Sequence, residues 1–387
     1  MARTLSPAAA AAARVFLRSA RQAQLRYTDD AQPGITRVGA PGRFSYRDAK
    51  GRRIQDPTTL GRIRRLAIPP AWTDVWINPS ERGHIQARGR DARGRKQYRY
   101  HPDWRANRDL AKFDQLVPFA LALPKLRQAV RRDLTARHLG LDKLTAVIVR
   151  LLESSLIRVG NEEYARTNRS YGLTTLRDHH ATIRGRTVKL NFPGKSGVRH
   201  DVELKDVALA RIIQRAQDLP GQELFQWVDE HGRRHRLRSD DVNRYLRRHM
   251  GEAFTAKTFR TWAGTVWTAV ALSHLPPPES ATAAKRQVAA AVKVVAERLR
   301  NTPAVCRSSY IHPAVLEAYA AGRDILPRKA APPDLNHPPS GLSAAERAVL
   351  RFLRAQRRVP SARARSAPSR PIGENPRARR RTARKPA

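Results

Sequence analysis

Cysteine is nearly absent from this chain: Cys306 is the only one in 387 residues. It can form neither an internal disulfide nor a cysteine-rich zinc site, which favours a reducing compartment. No run approaches the roughly 20 apolar residues needed to span a bilayer, so no membrane partner is expected. A nucleotide phosphate loop is missing as well, because Gly194-Lys195-Ser196 lacks the earlier glycine at the required spacing. The nearest approach to a metal cluster is Asp178-His179-His180, which has no second acidic group to complete it and reads as surface. Acidic residues are scarce too: 33 Asp and Glu stand against 75 Lys and Arg, a formal charge of +42.

That excess points to a polyanionic partner, bound with strong salt dependence through counterion release. A hydrophobic fraction of 41% is near that of ordinary globular proteins, so the chain is more than a basic tail. Its length allows roughly two to three domains with real cores. The first 24 residues are rich in Ala and Arg, and no acid occurs before Asp29. A transit peptide has this composition, but we read a solvated helix or flexible arm and expect neither export nor cleavage.

Residues 25–108 are rich in turns, with Pro33-Gly34, Pro41-Gly42 and Pro69-Pro70 separating short runs such as Phe44 to Tyr46 and Val75 to Ile77. This punctuation predicts a small sheet domain with a helix over 58–66. It ends in a basic stretch where Tyr98, Tyr100 and Trp104 interleave with Arg95, Lys96 and Arg99. Cations there can reach phosphates while aromatic and amide groups pack on sugars or read base edges; a merely solvated basic hairpin is the bland alternative. Residues 109–326 turn helical, clearest at Leu144, Val147, Ile148, Leu151 and Leu152. Val188, Leu190 and Phe192, then Val198, His200 and Val202, alternate about Pro193-Gly194 and predict a hairpin with Lys195 at its tip. Residues 327–387 shift to Pro, Ala and Arg, with one helix opened by a Ser343 and Glu346 capping box and a basic end expected to be disordered when free. The fold class is therefore α+β: a small, mainly β amino-terminal domain, a larger, mainly α domain with a β-hairpin insertion, and a basic tail. No internal repeat is present.

Three isolated cations sit in contexts suited to a phosphate: Arg158 in SSLIRVGN, Lys195 in NFPGKSGV and Arg260 in KTFRTWAGT. Arg260 lies in an otherwise apolar helix, where a buried guanidinium serves either an anion site or a core salt bridge. Downstream, NTPAVCRSSY ends in Tyr310. A phosphodiester resists nucleophiles because its nonbridging oxygens share a negative charge; guanidinium groups disperse that charge. Tyrosine can attack and lysine can donate a proton, so this set could cut and reseal a nucleic-acid strand without metal or nucleotide.

Five segments together resemble the type IB DNA topoisomerases, in their compact poxvirus and bacterial branch: GRKQYRY (94–100), IRVGNEEYARTNRSYGLTTL (157–176), FPGKSG (192–197), FRTWAGT (259–265) and NTPAVCRSSYIHP (301–313). Each is weak alone; five in family order are specific. The resemblance spans about residues 25–326 and implies a DNA-binding domain followed by a catalytic domain of the topoisomerase IB and tyrosine recombinase type, closing on duplex DNA as a monomeric clamp. It implies Tyr310 as the nucleophile forming a 3'-phosphotyrosyl ester, Arg158 and Arg260 on the nonbridging oxygens, and Lys195 as general acid. Gln97 and Tyr98 would contact the major groove, with Tyr164 and Lys257 as further DNA contacts beside Arg95 and Lys96. No cofactor or nucleotide would be required, magnesium being at most a stimulant, and a bacterial-like cytoplasmic, nucleoid-associated location follows. The poxvirus enzymes carry histidine where this chain has Asn301, whose amide can donate a hydrogen bond to a nonbridging oxygen but cannot carry charge.

Two rivals stay open at this stage. A tyrosine recombinase shares the chemistry, although it usually has histidine where Lys257 stands. A noncatalytic architectural DNA binder accounts for the charge, but not for Arg260 within an apolar helix.

Overall fold

A computed structural model describes Leu17 and residues 20–251, 254–334 and 338–358. The amino-terminal sheet is antiparallel throughout: β1 (Ile35–Val38), β2 (Ser45–Arg47), β3 (Thr73–Ile77), β4 (Ile85–Arg90) and β5 (Lys96–Tyr100) lie in the order β2-β1-β3-β4-β5. Helix α1 (Pro57–Arg65) starts where the Asp56 carboxylate accepts from the Thr58 and Thr59 amides, with Pro57 at the first position, whose missing N–H costs nothing. It buries Ile63 against Ile35, Val75, Ile77 and Ala87 of the sheet. A second small cluster joins Ala20 and Leu25 to Trp104, so the described end of the predicted arm is packed rather than free. The remainder of that arm, residues 1–16, 18 and 19, lies outside the described residues, as does the basic end beyond residue 358.

The larger body is helical: α2 (Pro102–Asp114), α3 (Leu116–Leu134), α4 (Leu141–Ser155), α5 (Glu162–Asn168), α6 (Val207–Gln217), α7 (Ser239–Met250), α8 (Ala256–Ser273), α9 (Ala281–Arg298), α10 (Pro303–Tyr310), α11 (Pro313–Ala320) and α12 (Ala344–Arg358). Inserted in it is the sheet β6 (Ala181–Arg184), β7 (Thr187–Pro193), β8 (Arg199–Lys205), and a short pair β9 (Gln226–Val228) and β10 (Arg234–Arg236) precedes α7. Strand alternation turns Val188, Leu190 and Phe192 of β7 inward, and Lys195 sits in the turn between β7 and β8, as the alternation predicts. The α+β class and the order of its parts are as expected.

One boundary differs. The Ser343 and Glu346 box does open a helix, with Glu346 N donating to Ser343 Oγ and Ser343 N to the Glu346 carboxylate. That helix, α12, is no part of a tail: Ala345, Ala348, Val349, Leu350 and Leu353 are buried in the same core as α3, α4 and α8. Apolar positions four residues apart make one face of the helix, which a basic opposite face does not prevent from docking. The ordered body therefore runs past Leu326.

Within this core Phe119 of α3 is fully buried, with edge contacts to Phe254 and Phe259 at 5.7 and 5.0 Å between ring centroids. Phe119→Ala should lower stability by about 3–5 kcal/mol through lost burial and a residual cavity, measured as a drop in the urea midpoint.

Candidate active site

Helix α8 and the segment after α4 meet at Tyr310. It is the last residue of α10, buried to 8% exposure. Helix α8 passes so close behind it that Gly264 has no room for a side chain: a Cβ would fall 2.6 Å from the Tyr310 carbonyl oxygen and 3.1 Å from its Cβ. One residue on, the Thr265 hydroxyl accepts from His312 N at 3.1 Å, fixing the chain just past the tyrosine.

Arg260 projects from α8 with its guanidinium carbon 5.1 Å from the centre of the Tyr310 ring. At 4% exposure it is the most deeply placed charge of the set. Two carbonyls hold it: Nη1 donates to Leu156 O, and Nη2 to Leu299 O at 2.6 Å. Leu156 can offer its oxygen because α4 ends there in the left-handed conformation (φ 56°), turning the chain out of the helix. Its Nε is buried with no partner among the described residues. A buried donor without an acceptor is costly in the free protein and is relieved by an anion. The anion-site alternative for Arg260 is thereby supported over a core salt bridge, since both of its partners are neutral.

Arg158 lies beyond the end of α4 on a segment clasped by the following turn, with Leu173 N donating to Arg158 O at 2.9 Å and Thr174 N to Val159 O at 2.7 Å. The clasp needs glycine twice: a Cβ on Gly172 would meet Gly160 Cα at 2.5 Å, and Gly160 itself has φ +112°. Arg158 Nη2 donates to Asn301 Oδ1 at 2.8 Å, and Asn301 Nδ2 donates to Leu299 O at 3.0 Å. The asparagine thus joins both arginines through one carbonyl and keeps one further N–H. Burial raises the Tyr310 pKa, but the nearby guanidinium groups of Arg260 and Arg158 outweigh it, and the net shift is downward. Four residues earlier, burial pushes the Cys306 thiol up to about 11 despite the pull of Arg260.

Lys195 is exposed at its turn and lines a cavity of about 270 Å³ with Arg158, Asn161, Tyr164, Tyr171 and His200. His200 was not among the expected site residues. Its inward place in β8 was visible in the alternation, but nothing local shows that its ring lies under the Lys195 turn, stacked on Phe192 at 4.8 Å, where a Cβ on Gly194 would come within 2.4 Å of it. Burial, then Arg300, Arg158 and Arg260, lower its pKa to about 4, so it is neutral near pH 7. Arg300 ties this hairpin to the tyrosine segment, donating to Arg199 O at 2.7 Å and Asp201 O at 2.9 Å.

The expected DNA contacts fall into separate places. Along β5 successive side chains point to opposite faces. Arg95 and Gln97 both reach the Asp91 carboxylate, Arg95 also interacting with Tyr164, while Lys96 pairs with Asp30 at 2.7 Å and lies over Tyr98. Arg93 reaches Asn168 of α5 at 2.6 Å, so the β4–β5 turn touches the catalytic body. Lys257 is exposed, one turn before Arg260 on α8. Among the described residues no group of His, Cys, Asp and Glu could hold a metal ion, and no helix is long and apolar enough to cross a membrane.

The family model for the catalytic core of eukaryotic DNA topoisomerase I matches residues 101–329, which include every residue around Tyr310 described above. The chain is 34% identical over 293 residues to DNA topoisomerase 1B of Acanthamoeba polyphaga mimivirus, covering 74% of this chain and 87% of the viral one. The chain belongs to the type IB DNA topoisomerases. It is a type I topoisomerase, and its amino-terminal sheet carries a match to the N-terminal domain of bacterial DNA topoisomerase IB over residues 43–91. More distant relatives include DNA topoisomerase 1 of Rabbit fibroma virus, 24% identical over 71% of this chain and 88% of its own, and DNA topoisomerase 1B of Vaccinia virus (strain Copenhagen), 24% identical over 66% and 80%.

Gly264→Ala should push α10 away from α8 and slow relaxation of supercoiled DNA by about tenfold to a hundredfold, as expected for an ångström-scale misplacement, with duplex affinity unchanged. The buried imidazole gives a second expectation. His200 titrates at about 4 when folded against an ordinary 6.5, so between these values the unfolded chain binds the extra proton. Its stabilising contribution is complete above pH 6.5 and is lost as the pH falls toward 4. In His200→Asn, the decline of the urea midpoint over that window should be shallower than in the wild type.

Proposed function

We propose that this topoisomerase relaxes positive and negative supercoils by transient cleavage of one strand of duplex DNA through a 3'-phosphotyrosyl intermediate, acting as a monomer without ATP or metal. The observation that carries this reading is the buried Arg260 guanidinium, with its unpartnered Nε, 5.1 Å from the centre of the Tyr310 ring, Arg158 also favouring the ionised phenol. Their charge favours the phenolate, and the phenolate is the nucleophile. The Tyr310 oxygen attacks phosphorus, the phenolic proton passes to solvent, and the 5' oxygen leaves. As negative charge builds on the nonbridging oxygens, Arg260 and Arg158 stand ready to take it, with the remaining Asn301 N–H as a neutral donor. Lys195, on the exposed turn above His200, delivers a proton to the departing oxygen.

Resealing follows the same path in reverse: the 5' hydroxyl attacks, Lys195 accepts its proton, and Tyr310 leaves. The ester conserves the energy of the broken phosphodiester bond, so no nucleotide is consumed, and torsion in the duplex drives rotation about the intact strand. Arg95, Lys96, Gln97 and Tyr98 on the β4–β5 hairpin, with Tyr164 and Lys257 on the catalytic body, would grip the duplex on either side. This chemistry fits a cytoplasmic, nucleoid-associated enzyme.

Supercoiled plasmid incubated with the wild type in EDTA and without ATP should relax, and detergent quenching should leave protein on a 3' end. Tyr310→Phe should bind the plasmid yet neither relax it nor form the adduct. Relaxation by Tyr310→Phe at the wild-type rate, or a wild-type adduct on a 5' end, would overturn the mechanism.

A further inference from the structure

Helix α12 lies outside the 101–329 family match, yet it completes the core behind the active site. The chain returns along α8, with Lys329 N donating to Ser273 O at 2.9 Å and Ala330 N to Ser273 Oγ at 3.2 Å. At the start of α12, Glu346 is 4% exposed and its carboxylate accepts from Arg127 Nη1 at 3.1 Å, Arg127 Nη2 at 2.8 Å, Trp262 Nε1 at 3.1 Å and Ser343 N at 2.8 Å. Arg127, on α3, also pairs with Glu153 of α4 at 2.6 Å.

Both ends of this network reach Arg260. Trp262 follows Arg260 by two residues on α8, about 200° around the helix, so Glu346 grips the back of the helix whose front carries the guanidinium. Glu153 precedes Leu156 by one helical turn, and Leu156 O is one of the two carbonyls that receive Arg260. The helix that carries the arginine and the carbonyl that holds it are therefore joined through one Arg127–Glu346 pair. Apolar packing alone would let α8 rotate or slide slightly against its neighbours, whereas hydrogen bonds converging on one carboxylate fix its orientation.

We propose that Glu346 is a positioning residue for Arg260: by accepting from Trp262 and Arg127 it sets the rotation of α8 against α4 and so the aim of the guanidinium at the scissile phosphate. This rests on the tyrosine transesterification proposed above. Glu346 touches no reacting atom, and its influence passes through α8.

The test uses the full chain with Glu346→Gln, which keeps the shape and leaves Arg127 paired with Glu153, and Trp262→Phe, which removes the indole donor along with part of the ring volume. Cleavage is followed in a single turnover on a synthetic duplex whose cleavage position has been mapped with the wild type, and on the same duplex with a methylphosphonate there. The methyl group replaces one nonbridging oxygen and removes the negative charge, so the aim of Arg260 matters less. Both variants should cleave the phosphodiester about tenfold to a hundredfold more slowly, with unchanged duplex affinity, and their defect should shrink several-fold on the methylphosphonate. An equal defect on both substrates would mean a general structural role and would overturn the proposal, as would wild-type rates on the phosphodiester. If the wild type itself forms no adduct, the transesterification reading fails first, and the role of Glu346 falls with it.

Discussion

A guanidinium at 4% exposure needs partners that do not cancel its charge, and the way Arg260 meets this requirement organises much of the molecule. A carboxylate partner would have stabilised it most, but would have left little positive charge for an incoming anion. Two carbonyl oxygens satisfy donors while leaving the full charge in place. Supplying those carbonyls requires chain ends rather than helix interiors, because interior carbonyls already accept from their own helix. Leu156 and Leu299 follow the last turns of α4 and α9. The pocket is thus built from two helix ends facing one buried helix, with Tyr310 brought against that helix where glycine permits.

Burial and that charge together sort the neighbouring groups by protonation. Tyr310 is drawn toward its anion because both arginines bear on its oxygen, whereas Cys306, buried four residues earlier, stays a thiol at neutral pH. Of these two groups on α10, only Tyr310 is shifted toward its anion. His200, buried and facing Arg300, Arg158 and Arg260, is held neutral near pH 7.

Much of this arrangement was legible in the residues. The alternation on either side of Pro193-Gly194 located Lys195 in its turn, the apolar run around Arg260 marked it as buried, and the Ser343 and Glu346 spacing marked the start of α12. What was not legible depends on partners far along the chain. Glu346 looks like an ordinary capping residue until Arg127 and Trp262, 219 and 84 positions away, are found on it. The arginines on the outer face of α12, Arg347, Arg351 and Arg354, matched the composition of the tail that follows and hid a docking face of Ala345, Val349 and Leu353. His200 showed its burial but not the three arginines around it. The GRKQYRY segment reads as one linear set of contacts, but a strand divides it between two faces, and only Arg95 and Gln97 share Asp91.

The Arg300 guanidinium bridges two carbonyls of β8, just past the turn that bears Lys195. A proton donor at the tip of a hairpin invites the image of a lever swinging from its base. With β8 fastened to the residue next to Asn301, and Gly194 N bonded to Val198 O across the neck of the turn at 2.8 Å, that lever has no hinge at its base. Beyond these bonds lie only the few residues of the tip and the lysine side chain itself. In the mechanism proposed above, an acid at Lys195 would keep a short tether to Arg158 and Arg260, and rotation of the strand would not carry it away.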